Sequence, residues 1–381
     1  MSKLLNKSSN TEVDEIPSSL LSAVNQYQDR AKEYVSKMTK NINEMSAIDV
    51  IDAIKNNDYK YKLFEEAVFV GHIVTDLDSV STAIGAAEFY GGTPAISEIE
   101  KTLNTEIKWA LQYWGYKTPK YIGDIKDLSK IVLVDHNQLS QTNKCINPNN
   151  IIGIIDHHAP NIVSNNILTI DIQLIGSAST IIAMRFIRND RKLKKSVAGM
   201  LLSAILSDTI NLKSPTTTNA DKLVVAVLSK IVDIDDIDKL AQKQFQAKSR
   251  MIEKLSNTDL IKGDMKSYII NDKKVAWSTI ESIKKGVDKV INKKDQMIKE
   301  LTAIKKEEKM DYLFLSVVDI ENKKSKLLIC TYLEKEIALC AFNLKLNGNI
   351  MELGSLISRK KQFIPSVKRV LTNPKFNHTV V

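Results

Sequence analysis

Three stretches of the chain, "AVFVGHIV" from Ala67, "KIVLVDHN" from Lys130 and "IIGIIDHH" from Ile151, carry four or five aliphatic residues with no polar alternation. Runs of that kind suit strands buried on both faces, and the helical spacing between them suits parallel crossovers. The pattern therefore predicts an α/β fold with a parallel sheet flanked by helices over residues 65–247. Ahead of it, residues 1–64 read as a helical extension, with apolar residues at helical spacing in "SSLLSAVNQYQDRAKEYVSKM" and "AIDVIDAIKNN". The polar helical stretch "DIDDIDKLAQKQFQAKSRMIEKL" contains no buried strand, and a linker is placed at 248–255. Beyond it, "KSYIIND", "KKVAWSTI", "DYLFLSVVDI" and "KSKLLICTYL" read as strands. One long amphipathic helix is expected through Ile283, Val287, Val290, Ile291, Met297, Ile298 and Leu301. Together these predict a smaller mixed α/β domain over 256–381, with a cleft between the two domains. "GGTP" at Gly91–Pro94 reads as a turn and lacks the Lys-Ser/Thr ending of a phosphate loop.

Composition narrows the class. Of 381 residues, 43% are hydrophobic and 26% charged, as in ordinary globular proteins. The three cysteines share no C-x-x-C spacing, which argues for a reducing compartment. No apolar stretch approaches the ~20 residues needed to span a bilayer, and no signal-peptide pattern is seen at the start, so a cytoplasmic protein without membrane association is expected. The net charge of +9 comes from lysines interleaved with acids, a pattern of solvated faces rather than of nucleic-acid binding.

The polar residues at the ends of the apolar runs change the picture most. Four of the five histidines, His72, His136, His157 and His158, stand there beside Asp76, Asp78, Asp135 and Asp156. In open α/β sheets the carboxyl ends of the strands are where ligands bind. Imidazole and carboxylate without cysteine favour the harder divalent ions, and several buried aspartates are tolerable only beside a cation. So many carboxylates suggest two ions, and Asp135 on the middle run is the natural bridge.

In order along the chain, "GHIVTDLDS", "VDHN", "DHH" and "SDT" resemble the signature of the DHH phosphoesterase superfamily. "DMK" at Asp264–Lys266 and "SRKKQFIP" at Ser358–Pro365 narrow the resemblance to its family II, manganese-dependent inorganic pyrophosphatases. The resemblance implies an N-terminal DHH domain and a hydrolase that cleaves pyrophosphate into two phosphates. It also implies two divalent ions, Mn2+ preferred with Co2+ or Mg2+ as substitutes, and further Mg2+ entering with the substrate. His72, Asp76 and Asp135 would hold one ion, and Asp78, Asp135, His157 and Asp208 the other. His158, Lys266, Arg359 and Lys360 would bind the substrate, and Asp76, Asp135, His158 and Lys266 would carry the catalysis. His136 and Asp156 would orient their neighbours. The implied reaction is in-line attack by a hydroxide shared between the ions. Homodimers through the edge of the first sheet are common in the family. The chain departs from it at Val74-Thr75, where Asn-Pro is usual, so the loop is expected to be looser or its hydrogen bonds altered, with activity retained.

Three rivals follow from the same superfamily. An exopolyphosphatase would commonly carry Asn in place of His72. A nuclease would carry a glycine-rich loop ending in histidine, whereas the sole histidine after residue 240 is His378. A scaffold without catalysis would have lost ligand positions, and here every one is filled.

Overall fold

In the computed structural model, which describes residues 64–374 and 376, each of the three apolar runs forms a strand at the centre of one sheet. The first lobe contains β1 (Val68–Val70), α1 (Leu77–Tyr90), β2 (Thr93–Ile96), α2 (Thr105–Tyr113), β3 (Lys120–Tyr121), β4 (Ile131–Val134), β5 (Ile151–Asp156) and β6 (Thr169–Ile172). Helices α3 (Ala178–Arg188), α4 (Lys195–Asp208), α5 (Asn219–Ile231) and α6 (Ile237–Ser249) follow. All strands pair in parallel in the order β3-β2-β1-β4-β5-β6. The order reverses direction between β1 and β4, and a crevice opens beyond their carboxyl ends at such a switch point. His72 follows β1 and Asp135 follows β4, so the sequence of the two strand ends delivers both to that crevice.

Small residues allow the helices to close on the sheet. A Cβ at Gly85 would come within 2.9 Å of Ile182 on α3 and of Leu201 on α4, so α1 packs directly against both. Phe64 is buried, with its ring edge-on to Tyr90 at 5.1 Å, and so belongs to this core rather than to an extension. The remainder of the helical extension expected at 1–64 lies outside the described residues, as does His378.

The second lobe contains α7 (Met251–Lys254), α8 (Asn257–Lys262), β7 (Met265–Ile270), β8 (Lys273–Ser282), α9 (Lys284–Asn292) and α10 (Lys294–Glu307). It continues with β9 (Tyr312–Asp319), β10 (Lys324–Ile329), α11 (Tyr332–Phe342), β11 (Leu346–Asn347), β12 (Ile350–Gly354) and α12 (Ile364–Leu371). The sheet order is β11-β12-β10-β9-β8-β7, parallel only between β8 and β9. Asn271 and Asp272, both at positive φ, make the two-residue turn that pairs β7 with β8. None of the described helices is long and apolar enough to cross a membrane.

Two expectations need correction. The single amphipathic helix is divided at Lys293, where ψ rises to 15°. Residues 292–296 offer no apolar side chain before Met297, so nothing in that stretch ties the helix to the sheet as Val287, Val290, Met297 and Leu301 do on either side. The "GGTP" turn is limited to Gly91 and Gly92, and Thr93 and Pro94 already pair with β1.

Candidate metal centre

Gly71 is the pivot of the first ligand set. A Cβ there would lie 2.3 Å from Ser79 Cβ, so only glycine lets the end of β1 pass against the first turn of α1. Asp76 caps that helix, with Oδ1 accepting from Ser79 N at 2.9 Å. Its Oδ2 is left 3.3 Å from His72 Nε2, and Asp135 Oδ2 stands 3.4 Å from the same nitrogen. Asp135 itself sits in the left-handed region at φ 59°, a conformation that Asp and Asn tolerate and other side chains resist.

The second set shares Asp135. Its Oδ1 lies 3.2 Å from His157 Nε2, which is also 3.9 Å from Asp78 Oδ2 and 3.6 Å from Asp208 Oδ2 at the end of α4. His157 Nδ1 is turned to the Ile175 carbonyl at 3.1 Å, which fixes the proton there and leaves Nε2 as the donor atom for a cation. Three groups of ligand atoms, His72-Asp76-Asp135, Asp78-His157-Asp208 and Asp135-His157-His158, are each close enough to hold one ion.

A divalent ion fits this donor set on two counts. His72 Nε2 and both oxygens of Asp135 are buried, and despite their proximity none has a hydrogen-bond partner, a costly state for polar atoms unless a cation takes them. The charges are also unbalanced. Burial and then repulsion from Asp78, Asp76 and Asp135 hold the Asp208 carboxyl well above its ordinary range, and burial and Asp135 push Asp78 up to about 6. Burial opposes the His72 imidazolium, but Asp76 and Asp135 override it and raise its pKa to about 10. A cation competes for the same lone pair, since only neutral imidazole ligates.

The supporting residues are less obvious in the sequence. Asp78 accepts from Ser177 Oγ at 2.8 Å, Ala178 N at 2.7 Å, Ser179 N at 3.0 Å and Thr82 Oγ1 at 3.1 Å, so it rests on the N-terminus of α3. "IGSASTII" belongs to the resemblance, yet nothing in its residues announces this cradle. Asp156 accepts from His157 N, His158 N and His158 Nδ1 at 2.7, 3.1 and 2.8 Å, and Asn137 Nδ2 donates to its other oxygen at 2.5 Å. His136 spends both ring nitrogens, on the Val134 carbonyl and Thr142 Oγ1, and so offers none to an ion. Thr75, in the departing dipeptide, is buried. Its N–H donates to Glu98 at 3.0 Å, and its carbonyl accepts from Asn104 Nδ2 at 3.3 Å, so the loop is tied down.

Cations face this centre from the second lobe. Lys266 Nζ on β7 is 3.4 Å from His158 Nε2, and Lys360 Nζ is 3.3 Å from His157 Nε2. Burial and then Lys360 and Lys266 hold His158 well below the ordinary imidazole range, hence neutral. Burial and Lys266 lower Lys360 to about 8. Arg359 and Lys360 open a π-helical turn, Arg359–Phe363, whose far end is Phe363 stacked at 4.9 Å on Trp277. Arg359 donates to the Asp264 carbonyl at 2.7 Å and its carboxylate at 2.9 Å. A cavity of about 220 Å³ runs between the lobes, lined by Asp76, His157, His158, Asp208, Lys266 and Arg359 among others.

Comparison with known proteins finds relatives for both lobes. Residues 66–205 match the model of the DHH family, N-terminal domain, and residues 242–370 that of the DHHA2 domain. A manganese-dependent inorganic pyrophosphatase of Methanocaldococcus jannaschii is 34% identical over 309 residues, which cover 79% of this chain and 97% of that protein. A crystal structure of a candidate family II inorganic pyrophosphatase from Methanococcus jannaschii superposes with a TM-score of 0.71 at 32% identity, covering 81% of this chain and 100% of that one. With likeness running through both lobes and nearly the whole length of the relative, the chain belongs to the manganese-dependent inorganic pyrophosphatase family.

Proposed function

We propose that the protein hydrolyses inorganic pyrophosphate to two phosphates in the cleft between its lobes, with residues 65–247 supplying the metal ligands, 256–381 the substrate cations and 248–255 the connection. One observation carries the reading: two ligand sets joined at Asp135 are faced by lysines from the other lobe, Lys360 at 3.3 Å from the ligand His157 and Lys266 at 3.4 Å from the neighbouring His158. His72, Asp76 and Asp135 would hold one divalent ion, and Asp78, Asp135, His157 and Asp208 a second. When bound, such ions supply Lewis acidity at phosphate oxygens and lower the pKa of water toward neutrality.

The chain's own residues do the rest. Lys266 and Lys360 neutralise a small, highly charged anion as point charges, and Arg359 offers a planar fork held in place by Asp264. His158 donates Nδ1–H to Asp156, so its Nε2 keeps a lone pair facing the cleft and can accept a hydrogen bond from Lys266, from a protonated substrate oxygen or from a water beside it. Placing cations and ligands on separate lobes lets closure assemble the site and exclude bulk water. Among the described residues β6 is the last strand of the first sheet and Ile170 on it is exposed, which supports pairing of two copies and would register in size-exclusion chromatography.

The test is phosphate release from pyrophosphate, triphosphate and long-chain polyphosphate with Mn2+, Co2+ or Mg2+. Pyrophosphate should be the preferred substrate, fastest with Mn2+. Faster release from long chains would assign the protein to the exopolyphosphatases instead.

A further inference from the structure

At the C-terminal end of α6, one lysine meets a carboxylate from each lobe. Lys248 Nζ lies 2.6 Å from Glu281 Oε2 on β8 of the second lobe and 3.7 Å from Glu106 Oε2 on α2 of the first. Glu106 is buried and held from its other side, where Ser207 Oγ and Gln244 Nε2 each donate to Oε1 at 2.8 Å. Gln244 also donates to the Ser203 carbonyl at 2.9 Å. Ser207 directly precedes Asp208.

The same turn of α6 is stitched to both lobes by neutral bonds. Thr105 Oγ1 donates to the Ala247 carbonyl at 2.6 Å, while Ser249 Oγ accepts from Ser282 Oγ at 3.0 Å and from Ile283 N at 3.1 Å. Glu106, Ser207, Lys248 and Glu281 all line the cavity that holds the metal ligands and the cations. Without the lysine, Glu106 and Glu281 would confront each other as like charges across the cleft.

We propose that Lys248 is a positioning residue: by holding one carboxylate of each lobe it sets how far the cations on the second lobe stand from the ligands on the first, and through Glu106 and Ser207 it steadies Asp208. Its effect on turnover rests on the pyrophosphatase reading, whereas its effect on the lobes does not. A 1 Å misplacement of reacting groups can cost on the order of 100-fold, so a residue outside the reacting shell can matter this much.

The protein supplies its own reporters. Cys145 on the first lobe and Cys340 on the second are exposed, whereas Cys330 is partly buried and is replaced by serine for the labelling. Nitroxides on Cys145 and Cys340 of the full chain give the interlobe distance by pulsed EPR, in Mg2+ with methylenediphosphonate as the probe. Lys248→Met should broaden that distribution toward longer distances and lower kcat/KM for pyrophosphate on the order of 100-fold, and Lys248→Arg should restore both. Glu281→Gln, on the cleft surface, should shift the distances the same way and serves if Lys248→Met does not fold. Distances unchanged in Lys248→Met and Glu281→Gln, with kcat and KM within about twofold of the parent, would overturn the proposal. A chain inactive on pyrophosphate that still opens when Lys248 is replaced upholds the closure and removes the pyrophosphatase reading.

Discussion

On the side of the parallel sheet, the cleft is lined by carboxylates and imidazoles drawn from the ends of β1, β4 and β5, the start of α1 and the end of α4. On the side of the mixed sheet, it is lined by cations carried on one edge strand and one π-helical turn. The first side is over-determined. Asp76, Asp78 and His157 are each locked by a second bond to the backbone or to a helix N-terminus, Asp76 by Ser79 N, Asp78 by Ala178 and Ser179, and His157 by the Ile175 carbonyl. The second side hangs on fewer supports, chiefly Asp264 for Arg359 and the Trp277 stack beneath Phe363. A centre that must hold ions of fixed geometry needs rigid ligands, whereas a clamp that closes on substrate needs mobile charge backed by a firm anchor.

Substitutions can break or sharpen this contrast. The largest effect is expected at Asp135, the one carboxylate common to both ligand sets. Asp135→Asn keeps the left-handed backbone but removes a charge, and because metal assistance supplies several kcal/mol, kcat/KM should fall at least ~1,000-fold. A fall of only a few-fold would mean that the two sets do not share it. Next comes Phe363→Ala, which empties the stack under the clamp and should cost about 3–5 kcal/mol of unfolding free energy in a denaturant titration, leaving Mn2+ affinity intact if the two sides are independent. Arg359→Lys retains charge and loses the fork, and a rise in KM of about 10- to 100-fold is expected with a smaller change in kcat. The smallest effect belongs to Ser177→Ala. It removes one of four bonds to Asp78, and isothermal titration should show Mn2+ binding weakened about tenfold.

The same contrast decided what the sequence could tell. The parallel sheet and the cluster of aspartates and histidines were legible because β1, β4 and β5 are unbroken aliphatic runs and these residues sit directly at their ends. β2, β3 and β6 were not, because "TPAI", "KY" and "TIDI" are too short or too polar to stand out, and their pairing comes from the neighbouring strands. Lys266, Arg359 and Lys360 were reachable only through resemblance, since a lysine or arginine in a basic chain carries no signal of its own. The supports were the least legible. Ser177 and Glu106 act on partners 99 and 101 residues away, and a hydrogen bond across that distance leaves no local pattern. The division of the helix at Lys293 was hidden for the converse reason, because Val290 and Ile291 before the break and Met297 and Ile298 after it keep the phase of a single helix across the polar gap.

The central claim is a centre of two ions joined by Asp135, and counting Mn2+ tests it most directly. Equilibrium dialysis of the full chain against Mn2+, with metal quantified per chain and pyrophosphate hydrolysis followed on the same samples, should give two tightly held ions in the parent chain and fewer than two in Asp135→Asn, with turnover lost in step. A parent chain that saturates with a single ion, or an Asp135→Asn chain that keeps both, would contradict it.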